Sequence, residues 1–332
     1  MKNKLKIGLI GAGGIAQTWV QAFERSETAD LVAIADVRPV VADALAEGIG
    51  CRSYSSYLAL ANGESELDAV VICTPPSTHP EIANFFLASK VHVLCEKPLS
   101  IDTQSAREML AAAKTNGVIL TMATKFRYVE DVVRAKSIAA SGLIGEIVLF
   151  ENAFTAHVDM SSRWNSQVAL SGGGVLIDNG THSLDLMRYF LGPVVDVQVI
   201  EGKRSQGLDV EETVRIFVRS TAGVLGSIDL SWSINKEQES YLNIYGSQGT
   251  ISVGWKESKY RLSSGREWVV FGNGYDKVQA FGSQIDNFCA GINGEDELLI
   301  TAEDALASVE VIEAAYAALG RDSWTPVKER AA

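Results

Sequence analysis

The chain has little of what anchors extracellular or metal-bound folds. There are four cysteines in 332 residues, Cys51, Cys73, Cys95 and Cys289. They are scattered, with no CxxC pair, so a disulfide framework is not expected and a reducing, cytoplasmic setting is. Histidine is equally scarce, at His79, His92, His157 and His182. HExxH and Cys/His ligand spacings are missing, and no metal is expected. An excess of basic residues is also missing. Lysine and arginine number 29 against 41 acidic residues, a net charge of −12, which argues against a nucleic-acid partner. No apolar run is long enough to span a bilayer. The lysine-led apolar start is broken by glycines and lacks a cleavage site, so it reads as a strand rather than a signal peptide. What the chain does have is 47% hydrophobic against 21% charged residues, enough for a large core and, at this length, for two domains.

The stretch Lys6-Ile7-Gly8-Leu9-Ile10-Gly11-Ala12-Gly13-Gly14-Ile15-Ala16 organises the rest. It reads as a short strand, a glycine turn and a helix start, with G-x-G-x-x-A at Gly11, Gly13 and Ala16. Gly11 permits the tight turn, Gly13 lets the backbone approach a pyrophosphate, and Ala16 lets the helix pack close to the strand. The helix start at Gly14 and Ile15 offers free N–H groups and the positive end of the helix dipole to phosphates. Asp36 ends a second strand, Leu31–Ala35, where it suits a ribose hydroxyl pair and repels a 2′-phosphate. Arg38, two residues on, offsets that repulsion or is only a solvated helix-entry charge. NAD is therefore the expected cofactor, with NADP possible.

Strand and helix patterns alternate up to about Thr124. The strands Ala69–Thr74, Val91–Cys95 and Val118–Met122 are nearly all apolar, as in a parallel sheet buried on both faces. This part reads as a doubly wound parallel sheet of the Rossmann type, over residues 1–124. Beyond it, from 125 to 332, helices at Val129–Ser141 and Ser171–Leu191 accompany a run of strands between Glu146 and Val253. Two helices close the chain, near Phe281–Ile292 and Thr301–Leu319. The second part is thus α+β, with a large, mostly antiparallel open sheet and a C-terminal segment able to pack back on the first domain. Trp232, Ile228 and Ile244 read as apolar residues on the sheet's outward face, which predicts a homodimer or homotetramer through that face.

Two clusters carry chemistry. Glu96-Lys97-Pro98 lies at the carboxyl end of a predicted parallel strand, where open α/β sheets bind ligands. Lys97 there can stabilise charge on a substrate oxygen, or it is a surface lysine before a proline. Asp178, His182 and Asp185 follow Gly172-Gly173-Gly174 and share one helix face at i, i+4 and i+7. Asp178 one turn from His182 can orient the imidazole and favour its protonated form, a proton relay for an alcohol–ketone pair. The plain alternative is a surface histidine satisfied by its own helix.

These motifs, with Thr74-Pro75-x-x-x-His79 and Thr301-Ala302-Glu303-Asp304-Ala305-Leu306, resemble the glucose–fructose oxidoreductase / inositol dehydrogenase (Gfo/Idh/MocA) family over nearly the whole length. The resemblance implies an enzyme that interconverts a secondary alcohol and a ketone on a sugar, sugar derivative or polyol with NAD(P). It implies that Lys97 contacts cofactor and substrate, and that Asp178 and His182 line the substrate site with the histidine as proton acceptor. Thr74, Pro75, His79 and Glu96 would shape the nicotinamide half of the cleft, and a cis bond before Pro98 would set where Lys97 points. Arg127, in Lys125-Phe126-Arg127-Tyr128, matches one arginine of a family segment and is expected at the substrate. The family's Trp-Arg pair is altered here: Trp164 is followed by Asn165 and preceded by Arg163. Trp164, Arg163 and Tyr275 remain substrate-contact candidates. Two other readings stay open: an NAD-dependent glycoside hydrolase of the same fold, and a non-catalytic nucleotide-binding regulator.

Overall fold

The computed structural model describes residues 4–321. The ends of the two expected ranges, 1–3 and 322–332, lie outside the described residues. The first elements are β1 (Leu5–Ile10), α1 (Ala16–Glu24), β2 (Ala29–Ala35), α2 (Pro39–Ile49), β3 (Arg52–Tyr54), α3 (Tyr57–Gly63) and β4 (Ala69–Ile72). They continue with α4 (His79–Ala88), β5 (His92–Glu96), α5 (Thr103–Asn116) and β6 (Leu120–Ala123). The six strands form one parallel sheet in the order β3-β2-β1-β4-β5-β6. β4 is buried at all four positions, which is why its sequence is an unbroken apolar run rather than an alternation. α5 has the boundaries its ends dictate: the Asp102 side chain accepts from Ser105 N at 2.7 Å, and Gly117 closes the helix at φ 66°. Strand order reverses between β1 and β4, so the carboxyl ends of β1, β4, β5 and β6 open on one crevice. Gly11, Thr74, Lys97 and Lys125 lie at or just beyond those ends.

The second sheet is built from β7 (Ile147–Thr155), β8 (Val194–Glu201), β9 (Thr213–Ser220), β10 (Leu225–Ser231), β11 (Ser240–Gly246), β12 (Gly249–Gly254), β13 (Ser258–Leu262) and β14 (Val269–Gly272). Their order is β14-β13-β12-β11-β7-β10-β9-β8, antiparallel except for the β7–β10 pair. Helices α6 (Glu130–Ala140), α7 (Val168–Ser171) and α8 (Val175–Leu191) precede or interrupt it. In β9, Val214, Ile216 and Val218 point inward while Arg215, Phe217 and Arg219 point out, the period-2 pattern of a sheet covered on one face. α8 packs on that inner face against β7, β9 and β10.

One expectation fails here. Ile228 and Ile244 are fully buried and Trp232 nearly so. Their strand parity places Ile228 and Ile244 on the inner side, so these three residues give no ground for a partner subunit. The outer face carries Ser227 and Asp229 of β10, with Asp229 paired to Arg215 and Lys236, beside the exposed Leu225 and Phe217.

The last two helices, α9 (Lys277–Ile292) and α10 (Ala302–Leu319), return to the first sheet. α9 lies on α1, with Trp19 and Phe281 in edge-to-face contact at 4.6 Å. α10 touches α5, α8 and β8, joining the two sheets through a shared apolar core. No helix among the described residues is long and apolar enough to cross a membrane.

Candidate active site

The glycine turn opens the site. Gly11 has φ 96°, and a Cβ there would lie 2.9 Å from the Cys73 carbonyl group, so both conformation and space demand glycine. A Cβ on Gly13 or Gly14 would meet nothing in the protein, and both residues line the cleft. That open space is what close approach of a ligand needs. The amides of Gly13, Gly14 and Ile15 have no acceptor among the described residues, which leaves a row of donors at the start of α1. Asp36 ties this turn to β2: its carboxylate accepts from Ala12 N at 2.8 Å and Arg38 N at 2.8 Å. Arg38 folds back onto the same carboxylate at 3.1 Å. Burial opposes the Asp36 charge, but Arg38 and the Ala12 amide outweigh it and hold the carboxyl below its usual range.

Below the turn lies a cleft of about 910 Å3 between the two sheets. Lys97, Asp178, His182 and Trp164 all line it, with Thr74 and Glu96. Glu96 is buried and spends its oxygens on the Trp19 indole N–H at 3.0 Å and on Lys97 N at 3.2 Å. Lys97 Nζ donates to Asp178 Oδ1 at 2.5 Å and to the Asp178 carbonyl at 2.9 Å. The Lys97–Pro98 bond is cis. His182, one turn along α8, is 7% exposed, and its ring meets Phe126 edge-on at 5.1 Å. Its Nδ1 is buried without a partner among the described residues. The expected Asp178–His182 pairing is therefore corrected: the carboxylate is drawn to Lys97 instead. The expected protonated ring is corrected as well. Burial first, then the charges of Lys97 and Lys125, push His182 well below the ordinary imidazole value, so the ring is neutral near pH 7.

Three other candidates sit elsewhere. His79 is fully buried, with Nδ1 2.9 Å from the Pro98 carbonyl and Nε2 2.8 Å from the Thr74 carbonyl. Both ring nitrogens face backbone carbonyls and the neutral ring donates to one of them, so His79 ties the ends of β4 and β5 together and offers no free edge to a cofactor. Pro75 begins the 3-10 turn Pro76–Thr78 and receives the Thr78 hydroxyl on its carbonyl at 2.8 Å; it is not part of the cleft wall. Arg127 is 4% exposed and forks onto Asp185, Nη2 to Oδ1 at 2.7 Å and Nε to Oδ2 at 2.9 Å, with Asp304 at 3.5 Å. A guanidinium held this way has no free face for substrate. Its likeness to the family's arginine misplaced it at the site.

Two residues near the site went unread in the sequence. Glu211 is buried and accepts from Gly174 N at 2.9 Å, Leu176 N at 3.0 Å and the Tyr316 hydroxyl at 2.8 Å. It caps the helix that carries Asp178 and His182. Its partners are at least 35 residues away, so no local pattern points to it. Lys125 lines the cleft with neither a hydrogen bond nor an ion pair among the described residues; its ammonium lies 5.2 Å from the Phe126 ring centroid and 5.8 Å from that of Tyr275. Burial, followed by the charge of Lys97, brings this amine down to about 8. Tyr275 itself stacks on Phe126, with its hydroxyl buried and unpartnered.

Residues 5–124 match the profile of the GFO_IDH_MocA oxidoreductase family, described as an NAD-binding Rossmann fold, and residues 132–252 match the GFO/IDH/MocA C-terminal domain. The chain belongs to the Gfo/Idh/MocA family. The chain is similar to inositol 2-dehydrogenase of Rhizobium meliloti (strain 1021), at 26% identity over 94% of this chain and 96% of that one. It is also similar to myo-inositol 2-dehydrogenase of Thermotoga maritima, at 28% identity over 74% of each. Among solved structures it resembles GenD2 from gentamicin A biosynthesis in complex with NAD, with TM-score 0.83 and 27% identity over 96% of this chain and 95% of that one.

As a Gfo/Idh/MocA protein the chain is an NAD-binding oxidoreductase, and its residues fit that cofactor. The amides of Gly13, Gly14 and Ile15, without acceptors among the described residues, suit a pyrophosphate, and Asp36 keeps a carboxylate at the end of β2. Thr74, Glu96 and Lys97 stand on the wall of the cleft next to that turn.

Proposed function

We propose that this Gfo/Idh/MocA chain is a dehydrogenase that interconverts a secondary alcohol and a ketone on a sugar, sugar derivative or polyol, using NAD. Residues 1–124 hold the cofactor, and residues 125–332 supply the substrate walls. The observation that carries the reading is that His182 and the Lys97–Asp178 pair line one cleft bordered by the glycine turn. NAD, held at the amides of Gly13, Gly14 and Ile15, would supply the acceptor for the carbon-bound hydrogen as hydride. His182, which lines the cleft and is neutral near pH 7, takes the hydroxyl proton. Lys97 steadies the oxygen as negative charge grows on it. Asp178 holds the Lys97 ammonium in place through its carboxylate and its carbonyl, a positioning role for a residue whose carboxylate is bonded to Lys97 rather than to His182. The similar proteins named inositol 2-dehydrogenase and myo-inositol 2-dehydrogenase agree with a polyhydroxylated substrate. Asp36 favours NAD over NADP, because Arg38 is already committed to the carboxylate that repels a 2′-phosphate.

The test is the variant pair Lys97→Met and His182→Asn. Each is expected to lose about 10²- to 10⁴-fold in kcat, while NADH affinity, measured by tryptophan quenching alongside NADPH, stays within a few-fold of wild type. Near-normal turnover in both variants contradicts the assignment.

A further inference from the structure

The cleft is positively charged in a chain whose net charge is −12. Its wall carries Lys97, Lys125 and Arg163 against Glu96 and Asp178. Lys97 and Asp178 cancel each other at 2.5 Å. Glu96 is buried with both oxygens bonded to the Trp19 indole and to its neighbour's amide, and burial raises its carboxyl above the usual range. Lys125 is left over. Its ammonium makes no hydrogen bond or ion pair among the described residues: the rings of Phe126 and Tyr275 lie beside it, and the charges of Lys97, Glu96, Lys277 and Asp178 act on it only from a distance. Arg163, on the loop across the cleft, also has no hydrogen bond or ion pair from its guanidinium among the described residues. A buried cation with no carboxylate in contact is costly, and an anion brought into contact by a ligand lowers that cost.

We propose that the substrate of the dehydrogenase is a sugar or polyol acid whose carboxylate pairs with Lys125. The proposal rests on the alcohol–ketone reading of the site and adds the charge of the molecule that fills it. A single ammonium suits a single negative charge. The wall around Lys125 lacks the bidentate arginine or the row of amides that a dianionic phosphate would recruit; the free amides at the start of α1 belong to the pyrophosphate. Trp255, exposed on the neighbouring wall, offers an apolar face suited to the C–H face of a sugar ring. The substrate is thereby held by a ring along its carbon chain and by one charge at its end. Arg163 at the mouth, exposed, adds attraction of the same sign from a distance.

The experiment compares kcat/KM with NAD for matched pairs: D-glucuronate against D-glucose, D-galacturonate against D-galactose, and D-gluconate against D-sorbitol. D-Glucose 6-phosphate is the phosphate arm. The acid is expected to be favoured about 10- to 100-fold in the pairs that react, the worth of one charge-assisted hydrogen bond. Lys125→Met should erase that preference, and Lys125→Arg should restore most of it. Turnover of neutral sugars as good as that of their acids overturns the proposal and leaves the dehydrogenase standing. So does a preference that survives Lys125→Met, or a variant that loses NADH affinity with the preference unchanged. A larger preference for the phosphate than for any acid overturns the carboxylate assignment. No NAD reduction anywhere in the panel counts against the dehydrogenase reading itself.

Discussion

Helix α8 carries two aspartates seven residues apart, and each holds a cation. Asp185 and Arg127 are 1% and 4% exposed at the side chain, bidentate, and backed by Asp304. Asp178 and Lys97 are 23% and 15% exposed and face the cleft through one short contact. Chemically the pairs are alike; in surroundings they are opposites. The closed pair has every polar group accounted for and no route for a ligand, so its work is to fix α8 against the segment after β6 and against α10. The open pair leaves part of the ammonium toward space that a substrate can enter. An ion pair becomes part of a reaction site when one partner keeps a free direction.

The largest effect that can break this contrast is Arg127→Met. It strands Asp185 in the core without its partner and is expected to cost about 3–5 kcal/mol in urea unfolding. A loss below about 1 kcal/mol means the closed pair is not structural. Next in size is Glu211→Gln, which weakens the cap on α8 where Gly174 N and Leu176 N donate. A loss of about 1.5–3 kcal/mol is expected, with kcat falling because Asp178 and His182 ride on the same helix. Unchanged stability removes Glu211 from the account.

The smallest effect is in pH. His182 faces Lys97 from the end of β5 and Lys125 from beyond β6, with Asp178 one turn away but bonded to Lys97. The neutral ring is the working base, and its depressed value keeps it neutral below pH 6.5. The acid limb of kcat/KM should therefore lie below the ordinary histidine range, and Lys125→Met, which removes one repelling charge, should move it upward. For stability the sign is the same. The unfolded chain takes up a proton near pH 6.5 that the folded site refuses, so this residue stabilises above that pH and the contribution fades as pH falls through it. A limb at or above pH 6.5 in the wild-type protein contradicts the neutral ring.

The legible parts of the site were those written in contiguous residues. Gly11 to Ala16 shows a strand, a turn and a helix start in one line, and Lys97 follows an apolar run that could only be a buried strand. Burial and long-range partners were not legible. His79 and Arg127 are good ligand types in motif positions, and only their burial against Pro98, Thr74 and Asp185 shows that they serve the backbone and the core. Glu211 could not be found, because its donors come from α8 and α10. In the fold, β3, α3, β13 and β14 escaped notice for a related reason. They are short, and Arg52–Tyr54 and Ser258–Leu262 are edge-like polar segments whose pairing partners, not their composition, make them strands.

The measurement that tests the contrast most directly is kcat and urea unfolding for Lys97→Met and Arg127→Met, each on the same preparation. A crossed result is expected. Lys97→Met should lose at least about 10²-fold in kcat and stay within about 1 kcal/mol of wild-type stability. Arg127→Met should be several kcal/mol less stable, yet turn over at a rate much nearer wild type wherever it remains folded. The reverse pattern, an unstable Lys97→Met that still turns over or a stable Arg127→Met that does not, would show that the closed pair is the one at work.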